Sequence, residues 1–92
     1  MNEPVTIEPR HHGGYLVRAQ SSDGPVGSVL LLEGVDDLTG GLLGDDEATA
    51  RATAEFLLSH QDPTDLPATI EIDEVLAAYP DAAQEILARR ER

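Results

Sequence analysis

"DDEATARATAEFLLSHQDPTDLPATIEI", residues 45–72, changes its hydrophobic period partway along. Over residues 45–60, Ala50, Ala54, Leu57 and Leu58 recur at i, i+4, i+7 and i+8, and Ala52 and Phe56 widen that face. This is the spacing of an amphipathic helix. Asp45, Asp46 and Glu47 fall in its first turn, where the helix dipole favours negative charge. Pro63 and Pro67 end it. From there the period becomes two: Ala68, Ile70 and Ile72 alternate with Thr69 and Glu71. That alternation predicts a strand with the first set inward. A one-faced helix and a one-faced strand must bury their apolar sides on further elements, so the rest of the sheet has to come from elsewhere in the chain.

It comes from the N-terminal side. "VTIEP", residues 5–9, and "GGYLVRAQ", residues 13–20, alternate in the same way, with Val5 and Ile7, then Tyr15, Val17 and Ala19, on one face. "RHHGG", residues 10–14, joins them, and its glycines suit a hairpin loop. "SSDGP", residues 21–25, is a dense turn signal. "GSVLLLEG", residues 27–34, reads as a third strand, apolar on both faces. Leu30 and Leu32 point one way and Val29 and Leu31 the other. "VDDLTGGLLG", residues 35–44, reads as a glycine-punctuated connection.

On the C-terminal side the stripe Val75, Leu76, Tyr79, Ala83, Ile86 and Leu87 is helical. Pro80 interrupts it, either in the first turn of a new helix or as a kink in one long one, with the two pieces nearly in line. Arg89, Arg90 and Arg92 close that helix. The order is β-β-β-α-β-α. The expected fold is a two-layer α+β domain, one unit over residues 1–92, with an antiparallel sheet and helices mainly on one face.

Charge bounds the function more tightly than any motif. Six basic residues, all arginine, face eighteen acids, for a formal charge of −12. Such a surface is repelled by nucleic-acid phosphates and anionic membranes, so no direct nucleic-acid or membrane binding is expected. The longest apolar run, Val29 to Leu32, is far too short to span a bilayer. Met1-Asn2-Glu3-Pro4 lacks the basic and apolar segments of a signal peptide, and the chain has no cysteine, so a cytoplasmic setting is the default.

Candidate chemistry is thin. His11 and His12 are adjacent, so on a strand they point apart, and no metal site or cofactor is expected of them. The glycines before residue 45 suggest a phosphate loop, but there is no lysine and three acids open the helix. The acid pairs Asp36-Asp37, Asp45-Asp46 and Asp73-Glu74 are too common here to mark a catalytic dyad. No enzyme activity is expected.

Two stretches carry a resemblance. "IEPRHHGGYLVRA" is similar to the opening of HicB-type antitoxins, an apolar strand, a polar glycine turn, then Gly-Gly-Tyr and an alternating strand. "DDEATARATAEFLLSHQDPTDLPATIEID" resembles that family's alanine-rich helix with its following proline loop and strand. The likeness spans roughly residues 4–73 and implies three strands, a helix and a strand. It implies an antitoxin-like regulator that neutralises a basic partner, a small ribonuclease toxin. "ATIEIDEVLAAYP", residues 68–80, also has the strand-helix start of a ribbon-helix-helix DNA reader, but Glu71 stands where such a strand wants a positive or amide side chain.

The reading is a small acidic binding protein without enzymatic activity. The alternatives are a stand-alone structural or phage accessory protein of the same fold and a metal-binding or enzymatic protein. Exposed acids near the first hairpin and the central helix, Glu8, Asp45, Asp46 and Glu55, are the expected contacts for a basic partner. Leu30 and Leu32 are the expected contacts of a homodimer, since one two-layer domain covers only one face of the third strand.

Overall fold

The computed structural model describes residues 5–11 and 13–91. Strands β1 (Val5–Pro9), β2 (Tyr15–Ser21) and β3 (Gly24–Leu31) form an antiparallel meander. After β3 come α1 (Val35–Leu38), α2 (Glu47–Leu58) and a 3-10 turn (Pro63–Asp65). Strand β4 (Thr69–Glu71), α3 (Ile72–Ala78) and α4 (Ala82–Arg90) complete the chain. The sheet order is β1-β2-β3-β4.

The α+β class and the meander are as expected, and the fourth strand departs from the all-antiparallel sheet. β4 pairs parallel to β3, with Val29 opposite Thr69 and Leu31 opposite Glu71. The cause is α2. A helix spanning the sheet brings the chain back to the end where β3 began, so the next strand runs the same way as β3. The helix-then-strand change of period over residues 45–72 was therefore a crossover signal.

Each hairpin is closed by its own residues. In the first, the Arg10 N–H donates to the Gly14 carbonyl at 3.1 Å, and Gly13 and Gly14 turn the chain at φ 93° and 77°. Those values lie in the left-handed region, which costs little only for glycine. In the second, Ser21 faces Gly24 across a two-residue turn, and Ser21 Oγ donates to the Gly24 carbonyl at 2.6 Å. β3 starts three residues earlier than expected and includes Pro25. β4 covers only Val29–Leu31 of it, so β3 has a free edge where the proline sits.

One face of the sheet makes the core. Val5, Ile7, Val17, Ala19, Ser28, Leu30 and Ile70 are buried there. On α2 the expected face is buried, except that Leu58 is only half so, and Thr49 and Thr53 are buried as well. The helix is covered on most of its circumference because α4 packs along it while its other side lies on β1 and β2. Thr53 Oγ1 donates to the Thr49 carbonyl at 2.8 Å, which satisfies a hydroxyl that burial would otherwise strand. Ala68, expected inward on β4, is exposed, although its carbonyl accepts from the Val29 N–H at 2.8 Å; the strand itself spans only Thr69–Glu71.

Arginines tie the layers together. Arg51 Nη1 donates to the Val5 carbonyl at 3.3 Å, linking α2 to β1. Arg89 Nη2 donates to Ser59 Oγ at 3.3 Å and Arg90 Nη2 to Asp46 Oδ2 at 3.4 Å, so neighbouring residues of α4 reach opposite ends of α2. Arg92 lies outside the described residues.

Pro80 splits the C-terminal stripe into two helices. Tyr79, held at φ −124° and ψ 99°, is extended, because a following proline disfavours the helical region. α4 then starts at Ala82, and Pro80 falls before its cap, Asp81, in neither of the two expected places. Ala82 and Ile86 are its fully buried residues, with Ala83 and Leu87 only partly so. The break is pinned by aromatic rings: Tyr79 lies 5.2 Å from Phe56 and 4.9 Å from His60, and Phe56 lies 4.7 Å from His60.

Residues 35–44 are more ordered than a glycine-rich connection requires. Val35 and Leu43 are buried. Thr39 joins them, its Oγ1 donating to the Val35 carbonyl at 2.7 Å and accepting from the Leu43 N–H at 3.0 Å.

Candidate functional site

Because β3 and β4 run parallel, both end at the same side of the sheet. Here β3 leads through Glu33 and Gly34 into α1, and β4 passes directly into α3. The two exits enclose a groove of about 400 Å³.

One wall of the groove is Glu33, Gly34, Asp37 and Leu38 from the β3–α1 side. The other is Glu71, Ile72 and Asp73 from the β4–α3 side, with Leu31 between. Each wall thus carries two carboxylates over an apolar floor. Leu38 is 53% exposed, and among the described residues it is the one large hydrophobic side chain so open to solvent. No arginine is among the described residues that line the groove.

The residues expected to form the contact set do not converge. Glu8 is on the sheet face opposite the helices, 3.5 Å from Arg18 in an exposed ion pair. Asp46 caps α2: its Oδ1 accepts from the Thr49 N–H at 2.8 Å while Oδ2 pairs with Arg90. Asp45, just before it, is exposed and acts on Tyr15. Burial, followed by the charge of Asp45 and then of Asp46 and Glu47, pushes the Tyr15 phenol above its ordinary 10.0. Glu55 is half-buried in a separate groove between α2 and α4, beside Arg51, Arg89 and Arg90.

Leu30 and Leu32, the expected dimer contacts, are 0% and 1% exposed inside the single chain. They point to the helix layer, and the outward pair is Val29 and Leu31, both half-buried. Sequence alternation separated the two pairs correctly but could not say which one the helices cover.

Asp37, Glu71 and Asp73 were weighed singly in the sequence and Glu33 not at all, and nothing local joins the four. Their only local signal is abundance, which carries no information in a chain this acidic. The register Leu31 opposite Glu71 brings them to one place, and that register exists only in the folded sheet.

His11 is exposed, and His12 lies outside the described residues. Among the described residues no group of three or more His, Asp or Glu side chains is placed to hold a metal ion, and no helix is long and apolar enough to cross a membrane. β4 is committed to β3 rather than offered as a DNA-reading ribbon, and Glu71 faces the acidic groove.

No family model, curated protein or solved structure matches the chain.

Proposed function

We propose that this chain is a non-enzymatic binding protein whose partner is a basic protein. The observation that carries the reading is the groove at the ends of β3 and β4, an apolar floor between two acidic walls with no basic residue of its own. A formal charge of −12 would speed the encounter with a cationic partner, and the exposed Leu38 would add apolar contact once docked. The HicB-type resemblance makes that partner a small ribonuclease toxin. It implies three strands, a helix and a strand; the chain has three strands, the short α1, then α2 and a fourth strand, which agrees with that implication in outline. A second copy would sit on the sheet face opposite the helices, over Leu16 and Val29, which are half-buried.

The test is co-expression with the product of the neighbouring gene. That product should be short, strongly basic and able to cleave RNA. The two chains should co-purify, and an equimolar amount of this one should stop the cleavage. A neighbouring product that is not basic, or RNA cleavage that continues undiminished, would overturn the antitoxin reading and leave the stand-alone accessory protein.

A further inference from the structure

We infer that the groove at the ends of β3 and β4 receives an amphipathic basic helix of a partner protein, which seats an aliphatic side chain on Leu31 and Leu38 and places Lys or Arg on both flanks. The inference rests on the binding-protein reading above and specifies how the partner is held.

Charge complementarity names the occupant. The acids are divided, Glu33 and Asp37 on one side and Glu71 and Asp73 on the other. Among the described residues no three of them are placed to hold one metal ion. Carboxylates spread over two walls suit several separate side-chain cations rather than one ion. Between them the floor is aliphatic. A ligand that answers this pattern is apolar along its centre and positive along both margins. A helix has that form when its apolar residues recur at i, i+3 and i+4 and its basic residues border the stripe. At about 400 Å³ the space is at the small end for a drug-like ligand and suits one or two aliphatic anchors.

The sheet edges argue against the main alternative, a partner strand added to the sheet. β4 has three residues and enters α3 at the next one, so it offers little ladder to extend. β1, the other edge, ends in Pro9, which has no N–H to donate, and its Val5 carbonyl already accepts from Arg51, while the stretch of β3 that β4 leaves free carries Pro25. Short edges and prolines are the devices that block strand addition.

The experiment is a titration of the isotope-labelled full chain with a synthetic peptide of about 15 residues, long enough for a marginal helix. The peptide carries two leucines at i and i+4 bordered by arginines. Control peptides replace the leucines by serine or the arginines by glutamate. Amide shifts should cluster at residues 33–38 and 71–73, and both controls should bind at least about tenfold more weakly, a difference of about 1.4 kcal/mol. Leu38→Ser should weaken the arginine peptide to the same extent. Because Leu38 is exposed, that variant should melt as the wild type does. The double change Asp37→Asn and Asp73→Asn should flatten the salt dependence of binding. Shifts spread over the acidic surface, shifts confined to β1, an unchanged affinity in Leu38→Ser, or no binding at all would overturn the inference. If the basic ribonuclease is still neutralised by Leu38→Ser, the binding-protein reading survives and only the groove falls.

Discussion

Arg90, in the last turn of α4, reaches the carboxylate of Asp46 at the start of α2, with Nη2 3.4 Å from Oδ2. The same carboxylate caps α2 through its other oxygen, bonded to the Thr49 N–H. An acid that looked free for a partner is thus committed to the fold. Asp46→Ala should cost about 1–2 kcal/mol, most of it the lost cap. The ion pair adds little, because Asp46 is 47% exposed and solvent screens it. Asp46→Asn keeps a capping oxygen and should cost less than half as much. Urea melts of the two variants check the order, and equal losses would assign the effect to charge instead.

Gly13 and Gly14 separate backbone strain from crowding. Both have positive φ, so alanine at either should cost about 1–2 kcal/mol. A Cβ on Gly13 meets open space, while one on Gly14 would lie 2.8 Å from Leu31 Cδ2 and 2.9 Å from the Leu30 carbonyl oxygen. Overlap of that kind adds about 1–3 kcal/mol. Gly14→Ala should therefore melt clearly below Gly13→Ala in a thermal scan.

Tyr15 sets an alkaline limit on stability. Burial first, then Asp45, raises its phenol in the folded chain. Below the ordinary value of 10.0 the tyrosine is protonated in both states and stability does not depend on it. Above that value the unfolded chain releases the proton and the folded chain holds it. Stability then falls with rising pH until the raised folded value is passed. The chain has no lysine to obscure this window. Tyr15→Phe should lose less stability than the wild type between pH 9 and 11 in denaturant titrations.

Leu30 and Val29 are neighbours with opposite fates. Leu30→Glu buries a charge at a position that is 0% exposed, a cost of several kcal/mol against a total of about 5–15. It should abolish the cooperative transition seen by circular dichroism. Val29→Glu should keep the fold, because Val29 faces outward and is half-exposed. Sedimentation of the wild type and of Val29→Glu at tens of micromolar then tests self-association on that face. A dimer that Val29→Glu leaves intact would place the contact elsewhere.

Some of this was decided by the sequence alone. Period-two alternation in residues 5–9, 13–20 and 68–72, and the helical spacing of Ala50, Ala54 and Leu57, marked the strands and the central helix, though not α1 or the start of α3 at Ile72, because each pattern records which side chains one local geometry turns inward. Pro80 announced a break for an equally local reason. Tertiary structure decided the rest. Whether Leu30 or Val29 meets the helices depends on which side of the sheet α2 crosses, and an alternating strand reads the same from either side. Whether β4 runs with β3 or against it depends on the path of that crossover. The groove depends on both. Glu33 and Glu71 are 38 positions apart in sequence (71 − 33) and share a cleft only because parallel pairing brings two strand ends together. Long-range register of this kind is set by the burial of whole faces, and no short window of residues contains it.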